Sequence, residues 1–313
     1  MLRFVVRRVA LSIPLVFIAS ILIFVLEALA PGDVARAILG VEATPARYLA
    51  LRHQLGLDLP LWLQYWHYLQ QVLRGSLGSS IETGQSVVSI LQSRLPVTLS
   101  LMVLSTIVSA GIGIPLGVVS AIRPGKLGKF VDVISMAGLA VPSFWFGLVL
   151  MFIFAVRLGA FPATGYVNFD ESPLGWIRSL VLPVVALGLS GTAVLAKTTR
   201  DSMLEMLNRD YIRMLRACGV GEWSIVWKHA LKNAAVPVVS VLGLVAIHAL
   251  NGTVFIENVF VLPGFGSLSV SAVLQHELPV IEGVAIYFTL IVVGINLLVD
   301  LAYGWLNPKI RTA

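Results

Sequence analysis

The sequence predicts an all-α polytopic membrane protein with six transmembrane helices and both termini in the cytoplasm. Three observations carry this reading. Of the 313 residues, 58% are hydrophobic and only 12% are charged, about half the charged share of soluble domains. The apolar residues gather in six stretches close to the roughly 20 residues a helix needs to cross hydrocarbon. The basic residues fall mainly on one side of those stretches, as the positive-inside rule requires. A mean hydropathy of +0.91 excludes a water-soluble body of this length, a coiled coil and a disordered chain. The single Cys218 excludes a disulfide scaffold. In a soluble chain a net charge of +6 and a pI near 9.7 would raise nucleic acid as a partner. Here the cytoplasmic loops account for the excess, and no nucleic-acid partner is expected.

The first apolar stretch, 9–26, is uncharged and follows Arg3, Arg7 and Arg8. Ala28-Leu29-Ala30 after it also fits a cleavable signal peptide, but the 18-residue run exceeds the usual h-region of about 7–15 residues, so a retained span is expected. Residues 31–94 form an extracytoplasmic segment in which 45–54 and 61–73 read as short helices. The second carries Trp62, Tyr65, Trp66, Tyr68 and Leu69, either an interfacial aromatic belt or a cap shaping the outer mouth. The remaining spans are expected at 95–122, 133–156, 179–196, 234–256 and 283–299. Gly113 and Gly117 form a small-xxx-small pair that favours close helix packing. With this arrangement 15 of the 22 basic residues lie on the cytoplasmic side. The chain then divides into 1–30 (cytoplasmic end and first span), 31–94 (outer loop) and 95–308 (a five-helix core with a cytoplasmic loop at 197–233).

Several chemistries are missing. Pro124-Gly125-Lys126-Leu127 has neither the spacing nor the Ser/Thr of a phosphate-binding loop, so the chain is not expected to hydrolyse ATP itself. His53, His67, His229, His248 and His276 show neither HExxH nor a close pair, and no metal site is expected. Gly188-Leu-Ser-Gly191 is one residue short of a nucleophile elbow and reads as helix packing. The span interiors hold almost no ionisable groups except His248, with Asn251 one turn on. That weighs against a secondary transporter, which usually keeps such groups at depth. An intramembrane enzyme would need a nucleophile–base or metal pair, and the sequence offers none.

The patterned loop 197–233 is the most informative segment. Leu207, Tyr211, Met214 and Cys218 fall on one helical face and Arg209, Arg213 and Arg216 on the other. Gly219 and Gly221 interrupt this helix. A second helix carries Trp223, Val226, Trp227, Ala230 and Leu231 in a stripe, with Glu222, Lys228 and Lys232 away from it, before Pro237 just inside the fifth span. Such a helix–turn–helix either lies on anionic lipid or fills a groove in a soluble partner. The turn favours docking.

DYIRMLRACG at 210–219, followed by HALKN at 229–233, resembles the coupling loop of ABC importer permeases, most closely those of the dipeptide/oligopeptide transport family. The resemblance runs along nearly the whole chain: APGD at 30–33, QLGLD at 54–58, LPVTL at 95–99, VPSFWFG at 141–147, RDSML at 200–204, IENVF at 256–260, PGFG at 263–266, NLLVD at 296–300 and NPK at 307–309. It implies a type I importer permease in the inner membrane, paired with a second, similar permease. Two ATP-binding subunits would sit below, holding the ATP and Mg, and a solute-binding lipoprotein or periplasmic protein would sit above. No cofactor belongs to this chain, and membrane lipid is its surrounding partner.

The family's loop glycine falls on Gly219. Where the general importer pattern has Glu-Ala-Ala, this chain has Arg213-Met214-Leu215, a change that the peptide branch tolerates. Leu215 and Cys218 depart even from that branch, where Ala and Lys are common. Arg213, Leu215, Arg216, Ala217, Gly219, His229 and Asn233 are the expected ATPase-coupling residues. Phe144, Trp145, His248, Asn251 and Glu257 are the expected path residues, since aromatic and amide groups can hold a peptide backbone without reading its side chains. The implied substrates are di- or oligopeptides; related permeases also serve nickel, glutathione and haem. The implied cycle has ATP closing the partner subunits, the coupling helices moving as a rigid pair, and the core rocking between inward-open and outward-open.

Overall fold

The computed structural model describes residues 2–29, 35, 39, 44–54, 56–123 and 125–306. The APGD and NPK motifs fall wholly or partly outside the described residues, as does most of 31–43. All the regular elements among the described residues are helices: α1 (Leu2–Leu29), α2 (Pro45–Gln54), α3 (Leu61–Leu73), α4 (Val87–Ile122), α5 (Lys126–Ala140), α6 (Ser143–Arg157), α7 (Pro173–Leu207), α8 (Asp210–Ala217), α9 (Glu222–Phe260), α10 (Phe265–Leu274) and α11 (Leu278–Leu306). Among them α4, α7, α9 and α11 are long and apolar enough to cross a membrane, while α6, α10 and the apolar part of α1 are shorter.

Three expected boundaries are corrected. The third span is not continuous over 133–156: α5 stops at Ala140 and α6 restarts at Ser143. Pro142 disfavours helix in Val141 and lacks the N–H that would continue the ladder, so it caps the new helix instead. The helix of the fourth span continues past 196. α7 begins where the Ser172 hydroxyl accepts the Gly175 N–H at 3.1 Å, with Pro173 in its first turn. It passes Pro183 and runs through Lys197 and Arg200 to Leu207, because no glycine or proline follows Gly191 before Asn208. The second helix of the loop and the fifth span are one helix, α9, with a wider π turn at Ile225–Ala230 and Pro237 inside it. The helix α10 follows the PGFG motif and was not foreseen.

The chain forms two compact units. In the first (Met1–Val5, Val97–Pro263 and Ile295–Ala313), α7 is the central helix, with two-thirds of its apolar window buried. Leu101, Leu150, Leu180, Leu187, Ile256 and Phe260 form its main core. The small-xxx-small pair performs as its spacing predicts. A Cβ on Gly113 would stand 2.8 Å from the Thr192 carbonyl oxygen, and one on Gly117 2.6 Å from that of Ala196. The bare backbone of α4 therefore presses against α7. Ser109 Oγ donates to the Gly188 carbonyl at 2.9 Å across the same seam, so the GLSG segment serves packing.

The second unit (Val6–Pro96 and Gly264–Gly294) packs Val87, Leu91, Phe265, Leu268, Val280 and Val284 together. The helices expected at 45–54 and 61–73 form over those residues. Tyr65 of the aromatic helix bonds Ser20 Oγ at 2.8 Å and stacks edge-on against Phe24 at 5.4 Å. Trp62 and Trp66 stay exposed. The loop before α4 is held by one buried side chain. The Glu277 carboxylate accepts Ser80 Oγ–H at 2.9 Å, the Ile81 N–H at 2.9 Å and the Glu82 N–H at 2.5 Å.

Candidate functional site

The helix–turn–helix is built from the inside out. The chain leaves α7 at Asn208, extends at Arg209 and re-enters helix at Asp210. Asp210 opens α8 and Arg216 closes it, both favourable to the helix dipole. Gly219 turns the chain with φ +76, a conformation that costs glycine little and other residues more. A Cβ there would meet nothing within 4 Å, so the need for glycine is conformational within this chain. Arg216 Nε then closes the turn on Glu222 at 2.7 Å.

The packed face differs from the one the periodicity suggested. The break at Asn208–Arg209 resets the helical phase, so Ile212 is fully buried while Met214 is 61% exposed and Cys218 is exposed. Ile212, Ile225, Val226 and Ala230 close over Val118 and Ala121 of α4 and Met203 of α7. Tyr211 and Leu215 pack at the edge of the same cluster. Asn233 Nδ2 donates to the His229 carbonyl at 2.8 Å and to the Tyr211 hydroxyl at 3.2 Å, joining α9 to α8. Arg213, Ala217 and Gly219 remain on the outer surface. The expected coupling residues are therefore brought together: Leu215 and His229 half-buried at the base, the others outward.

Above this base Arg200 donates to both oxygens of Asp132 at 2.9 Å, tying α7 to α5. Farther along α7 lies a cleft of about 440 Å³, whose lining includes Ser109, Ser143, Ser190, Gly191, His248 and Gly252. His248 is the one expected path residue that lines it. Asn251 lies exposed on the same helix, and Phe144 packs tilted against Phe255 with ring centres 6.0 Å apart, also exposed. Trp145 is exposed outside the cleft.

Glu257, the fifth expected path residue, is fully buried and accepts the Thr98 hydroxyl at 2.7 Å. A carboxylate placed inside helix packing needs such donors; here it ties α9 to α4.

The cleft wall is mostly apolar (Val141, Leu187, Val194, Val241, Leu244 and Val245), with Ser109, Ser143, Ser190 and His248 as its polar groups, and α7 runs from it to the helix–turn–helix. The profile of the family described as binding-protein-dependent transport system inner membrane component matches residues 113–312, and that of its N-terminal companion matches residues 1–102. The chain belongs to this family. It is an inner-membrane permease component.

A putative peptide transport system permease protein of Brucella abortus is 41% identical to the chain, covering 99% of both. The oligopeptide transport system permease protein AppB of Bacillus subtilis is 37% identical over 99% of the chain and 100% of its own length. The glutathione transport system permease protein GsiC of Salmonella typhimurium is 38% identical over 99% of both. Among solved structures, a chain of the inward-facing MetNI methionine ABC transporter matches with a TM-score of 0.58. That match has 19% identity and covers 70% of this chain and 97% of that one, so it speaks for the fold alone.

Two contacts near the site carry little local signal in the sequence. Asp132 lies inside an apolar run, and its partner is 68 positions away; only packing pairs them. Ser143 and Gly252 meet across the cleft because Pro142 re-aims α6. The proline was the available signal.

Proposed function

We propose that this permease is the membrane-spanning subunit of an ATP-driven importer that moves peptides from an extracytoplasmic binding protein into the cytoplasm. It crosses the membrane six times with both termini inside, 1–30 supplying the first crossing, 31–94 an outer cap and 95–308 the conducting core. It pairs with a second, similar permease. Two ATP-binding subunits hold ATP and Mg and dock on the coupling helix–turn–helix; the chain itself carries no cofactor. The transport functions named for its relatives, of peptides, oligopeptides and glutathione, share one solute chemistry: short chains of amide bonds. Phe144, Trp145, His248 and Asn251 offer aromatic faces and hydrogen bonds suited to an amide backbone.

The observation that carries the mechanism is the continuity of α7. Its Met203 sits in the cluster under the docking turn and its Ser190 lines the cleft, 13 helical residues or about 20 Å apart. A helix satisfies its own backbone bonds and resists bending in lipid. A push on α8 is thereby transmitted through Ile212 and Met203 to the cleft wall.

Gly219→Pro and Gly219→Trp test this reading. Proline cannot reach φ +76, and tryptophan places bulk where no atom of this chain stands. Both variants should insert into the membrane normally and lose peptide uptake. Normal uptake would sink the docking assignment. Uptake driven by a proton gradient without ATP would favour a secondary transporter instead.

A further inference from the structure

Two apolar helices end together at one level of the first unit. The start of α9 brings Trp223, Trp227, Lys228 and Lys232, and the end of α11 brings Trp305 and Leu306. Between them lies a cavity of about 590 Å³ lined by Trp227, Lys228, Lys232, Trp305 and Leu306. No acidic side chain lines it, and neither lysine makes an ion pair with a described residue. Trp223 packs against Trp227 with ring centres 5.4 Å apart, yet is 75% exposed, and Trp305 is 74% exposed.

We propose that this cavity binds the headgroup phosphate of an anionic glycerophospholipid. Each part of the chemistry is represented. Two ammonium groups one helical turn apart supply the charge for a phosphodiester, and a lysine stem suits the boundary between apolar surface and a wet headgroup. Exposed indoles at the ends of membrane helices favour the headgroup level, where one side of the ring is wet and the other apolar. A soluble phosphate compound would leave the indoles unused, as would an acidic protein surface.

The acyl chains also have a place to lie. Only 17% of the apolar window of α11 is buried, the smallest share of the four long helices, and Leu298 above the cavity is 67% exposed. The site falls on the cytoplasmic leaflet if the proposed orientation holds. There anionic lipids concentrate and attract nearby basic groups. It would tether the start of α9, adjacent to the docking turn.

The test uses the intact transporter containing this chain, purified in detergent. Phosphatidylglycerol and phosphatidylcholine are titrated separately and bound lipid is counted by native mass spectrometry. The wild type should prefer phosphatidylglycerol; Lys228→Gln/Lys232→Gln should weaken that binding about thirtyfold, about fivefold for each charge. Lys228→Arg/Lys232→Arg should retain it, and phosphatidylcholine binding should not change.

Equal phosphatidylglycerol affinity in the wild type and the Gln pair would overturn the site. So would the absence of any headgroup preference in the wild type, a measurement that stands if the Gln pair fails to assemble. Displacement by inorganic phosphate as effective as displacement by lipid would show a soluble ligand and also overturn it. The readout is bound lipid, so failure of the importer reading and failure of this site register separately.

Discussion

Charged groups that packing hides behave differently here from those it leaves in water. Glu277 is 4% exposed and accepts three hydrogen bonds that define the course of residues 80–82. The Arg216–Glu222 pair at the Gly219 turn is equally short, but its side chains are 44% and 64% exposed. Water solvates either partner of an exposed pair once it is broken, so the pair contributes little to stability. Nothing replaces the lost partner of a buried carboxylate. The contrast separates residues that build the fold from residues left free to meet something else.

Glu277→Gln should show the largest structural effect. It exchanges an acceptor for a donor opposite backbone N–H groups and should cost about 3 kcal/mol. The loss would be read as roughly hundredfold faster hydrogen exchange at the Ile81 and Glu82 amides. Unchanged exchange would break the comparison at its strong end.

Arg200→Met comes next. The Asp132–Arg200 pair is partly buried, with side chains 35% and 19% exposed. Losing this charge-assisted contact, in which Arg200 Nη1 reaches both carboxylate oxygens, should cost about 2 kcal/mol, measured as a lower midpoint of thermal unfolding in detergent. Asp132→Asn should give a similar loss, and the double variant less than the sum of the two.

Arg216→Ala sharpens the exposed end. Stability should fall by less than about 1 kcal/mol, whereas peptide uptake should fall markedly if this surface docks a partner. A large loss of stability with normal uptake would reverse the assignment.

The smallest effect concerns pH. His53 and Asp58, at the outer end of α2, lie 2.7 Å apart and exposed. The hydrogen bond to Asp58 raises the His53 pKa above 6.5, and the same bond lowers the Asp58 pKa below 3.8. For the histidine, the stabilisation is complete below 6.5 and is lost as pH rises through its raised value. For the aspartate, it is complete above 3.8 and is lost as pH falls through its lowered value. The contact should therefore be fully formed between these ordinary values. A nuclear magnetic resonance titration should place the His53 midpoint above 6.5, and Asp58→Asn should return it towards that value.

Much of the architecture was legible because the bilayer and water impose simple patterns. Apolar runs of fixed length, the aromatic helix at 61–73 and the glycine-broken helix pair after α7 are local features, each written in consecutive residues. The Gly113/Gly117 contact was legible for the same reason, since small-xxx-small spacing has one physical use. The segment after α7 was likewise readable as a helix–turn–helix, although its buried face was not. Ile212 replaced Met214 and Cys218 inside because a two-residue break shifted the phase, and a periodicity read across the break could not register it.

By itself the sequence determined the class of molecule, the helices and the turn at Gly219, because hydrophobicity, helix period and glycine stereochemistry act over a few residues. Only the tertiary structure decided which charges are internal. Asp132 meets Arg200, Glu257 meets Thr98 and Glu277 meets the 80–82 backbone across separations of 68, 159 and about 195 residues. A lone carboxylate in an apolar run carries no mark of its partner. The desolvation cost that makes the partner necessary arises only when the helices pack.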